Sequence, residues 1–125
     1  MIVGNTQSVD GGRRRIPIRH TQIVDNKTRS ILIAFIDDIV FKKCKEQEWV
    51  GARDLFPNIP SDLESTPLSV LWEICKTKFA DNPDSWNINV SKYLGMLVRE
   101  SVYYSKHIYT EQIDGSVRKY RIENQ

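Results

Sequence analysis

Lysine and arginine side chains fall into three groups, and these groups are the strongest chemical signal in the sequence. One lies near the start, in the stretch GGRRRIPIR. The second lies on a segment with helical spacing, and the third in an alternating segment near the end. Both side chains neutralise phosphate, and the planar fork of arginine also matches a guanine edge. The candidate nucleic-acid-binding residues are Arg13, Arg14, Arg15, Arg19, Ser91, Lys92, Arg99, Lys106, Arg118, Lys119 and Arg121.

Each group also has an interpretation that needs no ligand. The arginine-rich stretch can be an exposed loop that pairs with acidic residues elsewhere. The helical group can be an ordinary solvated face. Cations in the last segment can protect an edge strand against pairing with other chains. We therefore expect nucleic-acid contact from these groups only if the fold brings them to one surface.

The distribution of charge is uneven along the 125 residues, although the net charge is only +2. Residues 1–30 hold six Lys/Arg against two Asp/Glu, residues 31–85 hold six against ten, and residues 86–125 hold six against four. The middle is therefore acidic and both ends are basic. A hydrophobic fraction of 40% and a length of 125 residues predict one globular domain rather than a disordered chain.

Residues that could support catalysis or metal binding lack suitable partners. Asp37 and Asp38 are adjacent, so on a helix they point about 100° apart. Neither His20 nor His107 has a nucleophile or an orienting carboxylate at a readable spacing. The glycines precede no phosphate-binding lysine motif. We therefore predict a protein that is not an enzyme, with no catalytic residue, no metal and no cofactor.

The cysteines and the apolar runs predict a cytoplasmic protein. Cys44 and Cys75 lie in apolar segments without a second ligand nearby, which is typical of reduced core thiols. The start of the chain lacks the apolar region of a secretory signal. The longest apolar run, ILIAFI, is too short to cross a bilayer, which needs roughly 20 residues. No membrane association is expected.

Periodicity and turn residues predict the elements. Residues 1–25 are expected to form a basic extended arm or an edge strand, and residues 26–125 the folded domain. A helix capped by Asp25 or Thr28 should be followed by a short strand at Trp49-Val50 and a helical turn at 52–56. A second long helix should begin at a Ser65 or Thr66 cap, with Pro67 in its first turn.

The last predicted helix, Asn89 to Tyr104, has Asn87 or Asn89 as its cap and places Lys92 in its first turn. Its inner face carries Val90, Leu94, Leu97, Val98 and Val102, and its outer face carries Ser91, Lys92, Gly95, Met96, Arg99 and Glu100. Glycine inside a helix costs about 1 kcal/mol relative to alanine. The close approach of another backbone, from DNA or from a neighbouring helix, would explain Gly95.

The segment YTEQIDGSVRKYRIEN predicts a β-hairpin that turns at Asp114-Gly115. An Asp-Gly pair between alternating β-formers is the strongest short-range hairpin signal, because the type I′ turn needs positive φ at both central residues. We expect Tyr120 and Ile122 to pack inward, and Lys119 and Arg121 to face water.

This order of elements is similar to the winged helix-turn-helix fold, over roughly residues 28–122. The fold class is therefore expected to be α+β: a mostly helical, winged-helix-like domain with a C-terminal hairpin and an extended N-terminal arm. Residues 67–122 also look loosely like the terminal winged-helix modules of phage and plasmid replication proteins. The segment ADNPDSWNIN is longer than the three- or four-residue turn of a typical helix-turn-helix, and the role of residues 57–64 is open.

The resemblance implies a DNA-binding module, either a transcriptional regulator or an accessory replication or restriction-system protein. The last helix would enter the major groove, with Lys92 and Arg99 near bases and phosphates and the hairpin as the wing. The alternative is a protein–protein adaptor or homodimer on the same fold, since a fold alone does not fix its function. A small inhibitor of a nucleic-acid enzyme is a third possibility.

Overall fold

A computed structural model of the chain describes residues 5–9, 23–115 and 117–123, with the backbone alone for 5–9. It confirms an α+β fold that is mostly helical and ends in a β-hairpin. The elements, in chain order, are β1 (Asn5–Val9), α1 (Asn26–Cys44), β2 (Val50–Gly51), α2 (Ala52–Leu55), α3 (Ser69–Lys78), α4 (Trp86–Tyr103), β3 (Tyr109–Asp114) and β4 (Val117–Ile122). Short 3₁₀ turns at Ser61–Leu63 and Pro83–Ser85 precede α3 and α4.

The hairpin forms in the segment where the sequence predicts it, but Asp114 ends β3 and pairs with Val117, so it is not a central residue of the turn. The hairpin belongs to a larger sheet. β3 and β4 pair from Tyr109↔Ile122 to Asp114↔Val117, and Gly115 has a φ of +64°, which favours glycine. The sheet is four-stranded and antiparallel, in the order β1-β3-β4-β2. The two additional strands lie at its edges.

The first predicted unit, residues 1–25, contains the edge strand β1. This strand runs antiparallel to β3, in the register Asn5↔Ile113 to Val9↔Tyr109. The expectation of an arm or edge strand rested on the stretch around Pro17, which lies outside the described residues.

The core lies between the two long helices and the inner face of the sheet. Asp25 caps α1 by accepting a 2.7 Å hydrogen bond from the Thr28 amide, as predicted. The predicted inner face of α4 is confirmed, because all five of its apolar residues are buried. Both cysteines are buried and free, in agreement with their assignment as core thiols. The buried core residues of α1 and α4 are Leu32, Ile36, Val40, Cys44, Val90, Leu94, Leu97, Val98, Val102 and Tyr103.

The predicted start of α4 is wrong. The helix begins at Trp86, and its N-cap is Ser85. The Ser85 side chain does not cap the helix amides and donates instead to the Asn82 carbonyl at 2.8 Å. Trp86 Nε1 donates to the Phe79 carbonyl at 2.8 Å, and its ring meets Trp72 edge-on at 5.8 Å. These contacts fix the start of the helix, so the connection from α3 spans only residues 79–85. Asn89 lies inside the helix and donates to the Ser85 carbonyl instead of capping.

The predicted start of α3 is wrong in the opposite direction, because it is too early. The helix begins at Ser69 after Leu68, whose amide donates to the Thr66 hydroxyl at 3.1 Å. The same hydroxyl donates to the Leu63 carbonyl at 2.7 Å. Leu63 is fully buried and Phe56 nearly so. Residues 57–64 therefore connect two core side chains and support the approach to α3.

Candidate nucleic-acid interface

A stripe of cationic and small residues runs along the outer side of α4. Ser91 and Lys92 are exposed. Lys92 and Arg99 are seven residues apart, which is about two helical turns, so they lie on the same side. The one carboxylate of α4, Glu100, is fully buried rather than outward as predicted, and lies 3.6 Å from Arg29 of α1. The outer side of α4 is therefore positive and carries no acidic residue.

Gly95 lies in the middle of this stripe and is not packed against another element. A Cβ added to it would meet no atom within 4 Å in the described part of the chain, apart from its chain neighbours and its own helix backbone. Of the two explanations that the sequence leaves open, contact with a neighbouring helix is therefore ruled out for the described residues. The approach of another molecule at Gly95 stays a prediction.

Arg99 is half-buried and lies against the ring of Tyr103. The centre of its guanidinium group is 5.3 Å from the ring centroid, which is within the range of a cation–π contact. Its Nε is buried and has no hydrogen-bond partner in the described part of the chain. The side chain is thus oriented by the aromatic ring beneath it.

Arg118 joins the same neighbourhood from β4. Its Nη1 donates to Glu111 Oε2 at 3.1 Å, and the Tyr103 hydroxyl lies 2.9 and 3.0 Å from the two oxygens of that carboxylate. Glu111 and Tyr120 face each other across β3 and β4, both on the inner face of the sheet. Burial, followed by the negative charge of Glu111, raises the pKa of Tyr120 well above its ordinary value.

The other two cations of the hairpin lie on the opposite face of the sheet, since successive residues of a strand alternate. Arg121 Nη1 is 3.4 Å from Glu48, and its guanidinium group lies 4.8 Å from the Trp49 ring. Tyr120 is buried, as predicted. The three cations of β4 therefore do not form one surface: Arg118 lies on the side of α4, and Lys119 and Arg121 lie on the outer side.

Lys106 lies apart from the stripe. It is exposed in the loop after α4 and lines a cavity of about 520 Å³ between α1 and the end of α4. Arg29, Asp37 and Glu100 line the same cavity. Its surroundings are thus mixed in charge, and they lie on the α1 side of α4. The four predicted arginines of the arm, Arg13, Arg14, Arg15 and Arg19, lie outside the described residues.

Sequence reasoning missed two residues at this site. Lys78, at the end of α3, lies 3.4 Å from the hydroxyl of Tyr93, the residue after Lys92. Its position in the last turn of α3 is readable in the sequence, but its nearness to α4 depends on the turn between the helices. The second residue is Glu111. Strand alternation places Glu111 on the same inner face as Tyr109. Acidic residues are rarely buried, however, so the pattern alone does not predict the burial of Glu111.

No group of three His, Cys, Asp or Glu that could hold a metal ion occurs within residues 23–115 and 117–123. In the same part of the chain, no helix has the length and apolar character needed to cross a membrane. No protein-family model, no curated protein and no solved structure matches the chain.

Proposed function

We propose that this protein is a non-catalytic, winged-helix-like module that binds duplex DNA through the outer stripe of α4. The single observation that carries the proposal is the arrangement around Gly95. An unpacked glycine lies between two cations on a helix whose one carboxylate is turned inward. Such a surface lets a phosphate backbone approach closely and meets it with positive charge.

The connection of the elements supports the winged-helix resemblance. The short strand β2 follows α1, precedes the other three helices and pairs with β4, and the hairpin directly follows α4. This arrangement sets the hairpin beside the end of the helix that would enter the groove. A helix in the major groove with a flanking hairpin is a geometry that DNA-binding domains use.

The residues would have different roles in such a complex. Lys92 is exposed and would neutralise phosphate. The sequence predicts Lys92 in the first turn of α4, but it lies in the second turn. It is therefore not positioned to bind one phosphate together with the free amides of the first turn. Arg99 and Arg118 would contact the groove edge from two elements. Arg121 lies on the opposite face of the sheet from Arg118, and Lys106 lies at the cavity beside α1, so both would contribute less.

The test is a titration of labelled duplex DNA at about 50 and 200 mM salt. We expect the logarithm of the affinity to fall with the logarithm of the salt concentration. Lys92→Ala and Arg99→Ala should each weaken binding and reduce that slope by about 1 if each contacts a phosphate.

Lys42→Ala is the matched control, because Lys42 is an exposed lysine of α1 that pairs with Asp38. It removes the same charge as Lys92→Ala but should change the affinity much less. No binding at low salt, or binding without a salt dependence, would end the DNA proposal.

A protein partner is the second candidate, and the exposure of Ile88 favours it. This side chain is 71% exposed at the start of the α4 stripe, four residues before Lys92. An adaptor would use Ile88 and the space over Gly95 to receive an apolar helix. Ile88→Asn should then weaken association with that partner or with a second copy of the chain, as measured by sedimentation. The same variant should leave the salt slope for duplex DNA unchanged.

A further inference from the structure

Glu111 is a fully buried carboxylate at the junction of α4 and the hairpin. A charge is costly to bury unless other groups balance it and satisfy its hydrogen bonds. Tyr103 approaches from α4 and Arg118 from β4, at hydrogen-bond distances of 2.9 to 3.1 Å. Two elements that carry candidate DNA-binding residues therefore meet on one side chain.

The same junction orients Arg99. Its guanidinium group lies over the ring of Tyr103, and the hydroxyl of that ring is hydrogen-bonded to Glu111. Arg99 and Arg118 thus depend on one carboxylate, one through a ring and the other directly. A pair of arginines held in this way loses less side-chain freedom when it binds an anion than two free side chains do.

We propose that Glu111 is a positioning residue for DNA binding, which fixes Arg99 and Arg118 relative to each other. This inference rests on the proposed function. It makes a prediction opposite in sign to simple electrostatics. Removing a negative charge near a DNA-binding surface should tighten binding, whereas removing a positioning group should weaken it.

The experiment compares Glu111→Gln with Asp114→Asn in the duplex titration at two salt concentrations. Both changes replace a carboxylate by an amide of the same shape. Asp114 is exposed at the tip of the hairpin, and asparagine also suits the turn before Gly115. Asp114→Asn should bind DNA as tightly as the unmodified chain or more tightly. Glu111→Gln should bind about two- to tenfold more weakly, with a smaller salt slope.

Circular dichroism establishes that each variant is folded. If Glu111→Gln does not fold, Tyr103→Phe tests the proposal instead. This change keeps the charges of Glu111 and Arg118 and the aromatic ring, but it removes the hydrogen bonds between the carboxylate and α4. It should weaken DNA binding by about twofold or more.

The possible failures are distinguishable. If Glu111→Gln binds at least as tightly as Asp114→Asn, or if Tyr103→Phe keeps full affinity in its place, Glu111 is not a positioning residue. The proposed function would stand in that case, provided that Lys92→Ala still weakens binding. If the unmodified chain does not bind duplex DNA at low salt, the proposed function falls and this inference falls with it.

Discussion

At the scale of single residues, Gly95 is a position where stability and binding should oppose each other. Its backbone is helical, and space for a methyl group is present in the described structure. Alanine would therefore fit without strain and would stabilise α4. Glycine at position 95 stabilises the helix less than alanine would. This choice is explained if a binding partner occupies the space where the methyl group would lie.

Gly95→Ala should raise the free energy of unfolding by about 1 kcal/mol, because alanine loses less backbone freedom in a helix. The same change should weaken binding to duplex DNA, since the methyl group occupies the space where the backbone of the nucleic acid would lie. Denaturant unfolding measures the first effect and the duplex titration the second.

Ser30→Ala is the control for this prediction. Ser30 is exposed on α1 and is not part of the α4 stripe, so the change should leave the DNA affinity nearly unchanged. If Gly95→Ala stabilises the protein and binds DNA as well as the unmodified chain does, close approach at this position is excluded.

At the scale of elements, the start of α4 is set by a side-chain contact with the residue that follows α3. Trp86 Nε1 donates a hydrogen bond to the Phe79 carbonyl at the end of α3, and this bond fixes how the two helices meet. Trp86→Phe keeps an aromatic ring but removes the donor, which should cost about 1 kcal/mol of stability. Thermal unfolding measures the loss.

Asn87→Ala is the matched comparison. A capping asparagine would cost about 1 kcal/mol on replacement, but Asn87 is exposed inside the helix. Its replacement should therefore change stability by less than about 0.5 kcal/mol. If Asn87→Ala loses more stability than Trp86→Phe does, Asn87 caps α4 as the sequence predicts.

The elements that the sequence predicts well are those whose causes are local. The position of the hairpin follows largely from Gly115, because its φ of +64° favours glycine whatever surrounds the turn. The inner face of α4 follows from apolar spacing. The starts of α3 and α4 depend on side-chain contacts with residues outside each helix. The burial of Glu100 and Glu111 depends on partners in other elements, Arg29 and Arg118. No pattern within one helix or strand reveals those partners.

The candidate site was predictable in part for the same reason. Ser91, Lys92 and Arg99 share one side of α4, as helical geometry requires. Strand alternation places Arg118 on the opposite face from Lys119 and Arg121. In the folded protein Arg118 lies on the face of the sheet next to α4, and Arg121 pairs with Glu48. Lys106 is separated from the stripe because the chain turns towards α1 after Tyr104.

At the scale of the whole molecule, several ionisable groups are buried in their neutral form. Burial raises the pKa of the Cys44 thiol from 9.0 to about 11, and it raises those of the Tyr109 and Tyr120 hydroxyls above their ordinary values. For each group the folded-state pKa exceeds the unfolded one, so the unfolded chain releases its proton first as the pH rises. This stabilisation is complete below about pH 9 and is lost at higher pH.

The free energy of unfolding should therefore fall as the pH rises from 9 towards 11, through the window set by Cys44. Urea unfolding at a series of pH values measures the trend. Cys44→Ala removes a buried side chain, so the variant should be less stable at neutral pH. It also removes a titrating thiol, so its stability should depend less on pH in this window. An identical pH dependence for both proteins would show that the thiol is not protected by the fold.

The edge position of β1 has a consequence for the order in which the chain can fold. Asn5 pairs with Ile113, so β1 is synthesised more than a hundred residues before its partner strand. Contacts this distant in sequence form slowly, because the loop between them must close first. The helices can assemble during synthesis, whereas the sheet can be completed only after β3 and β4 have been made. Until then the backbone groups of the first strand are open to pairing with other chains.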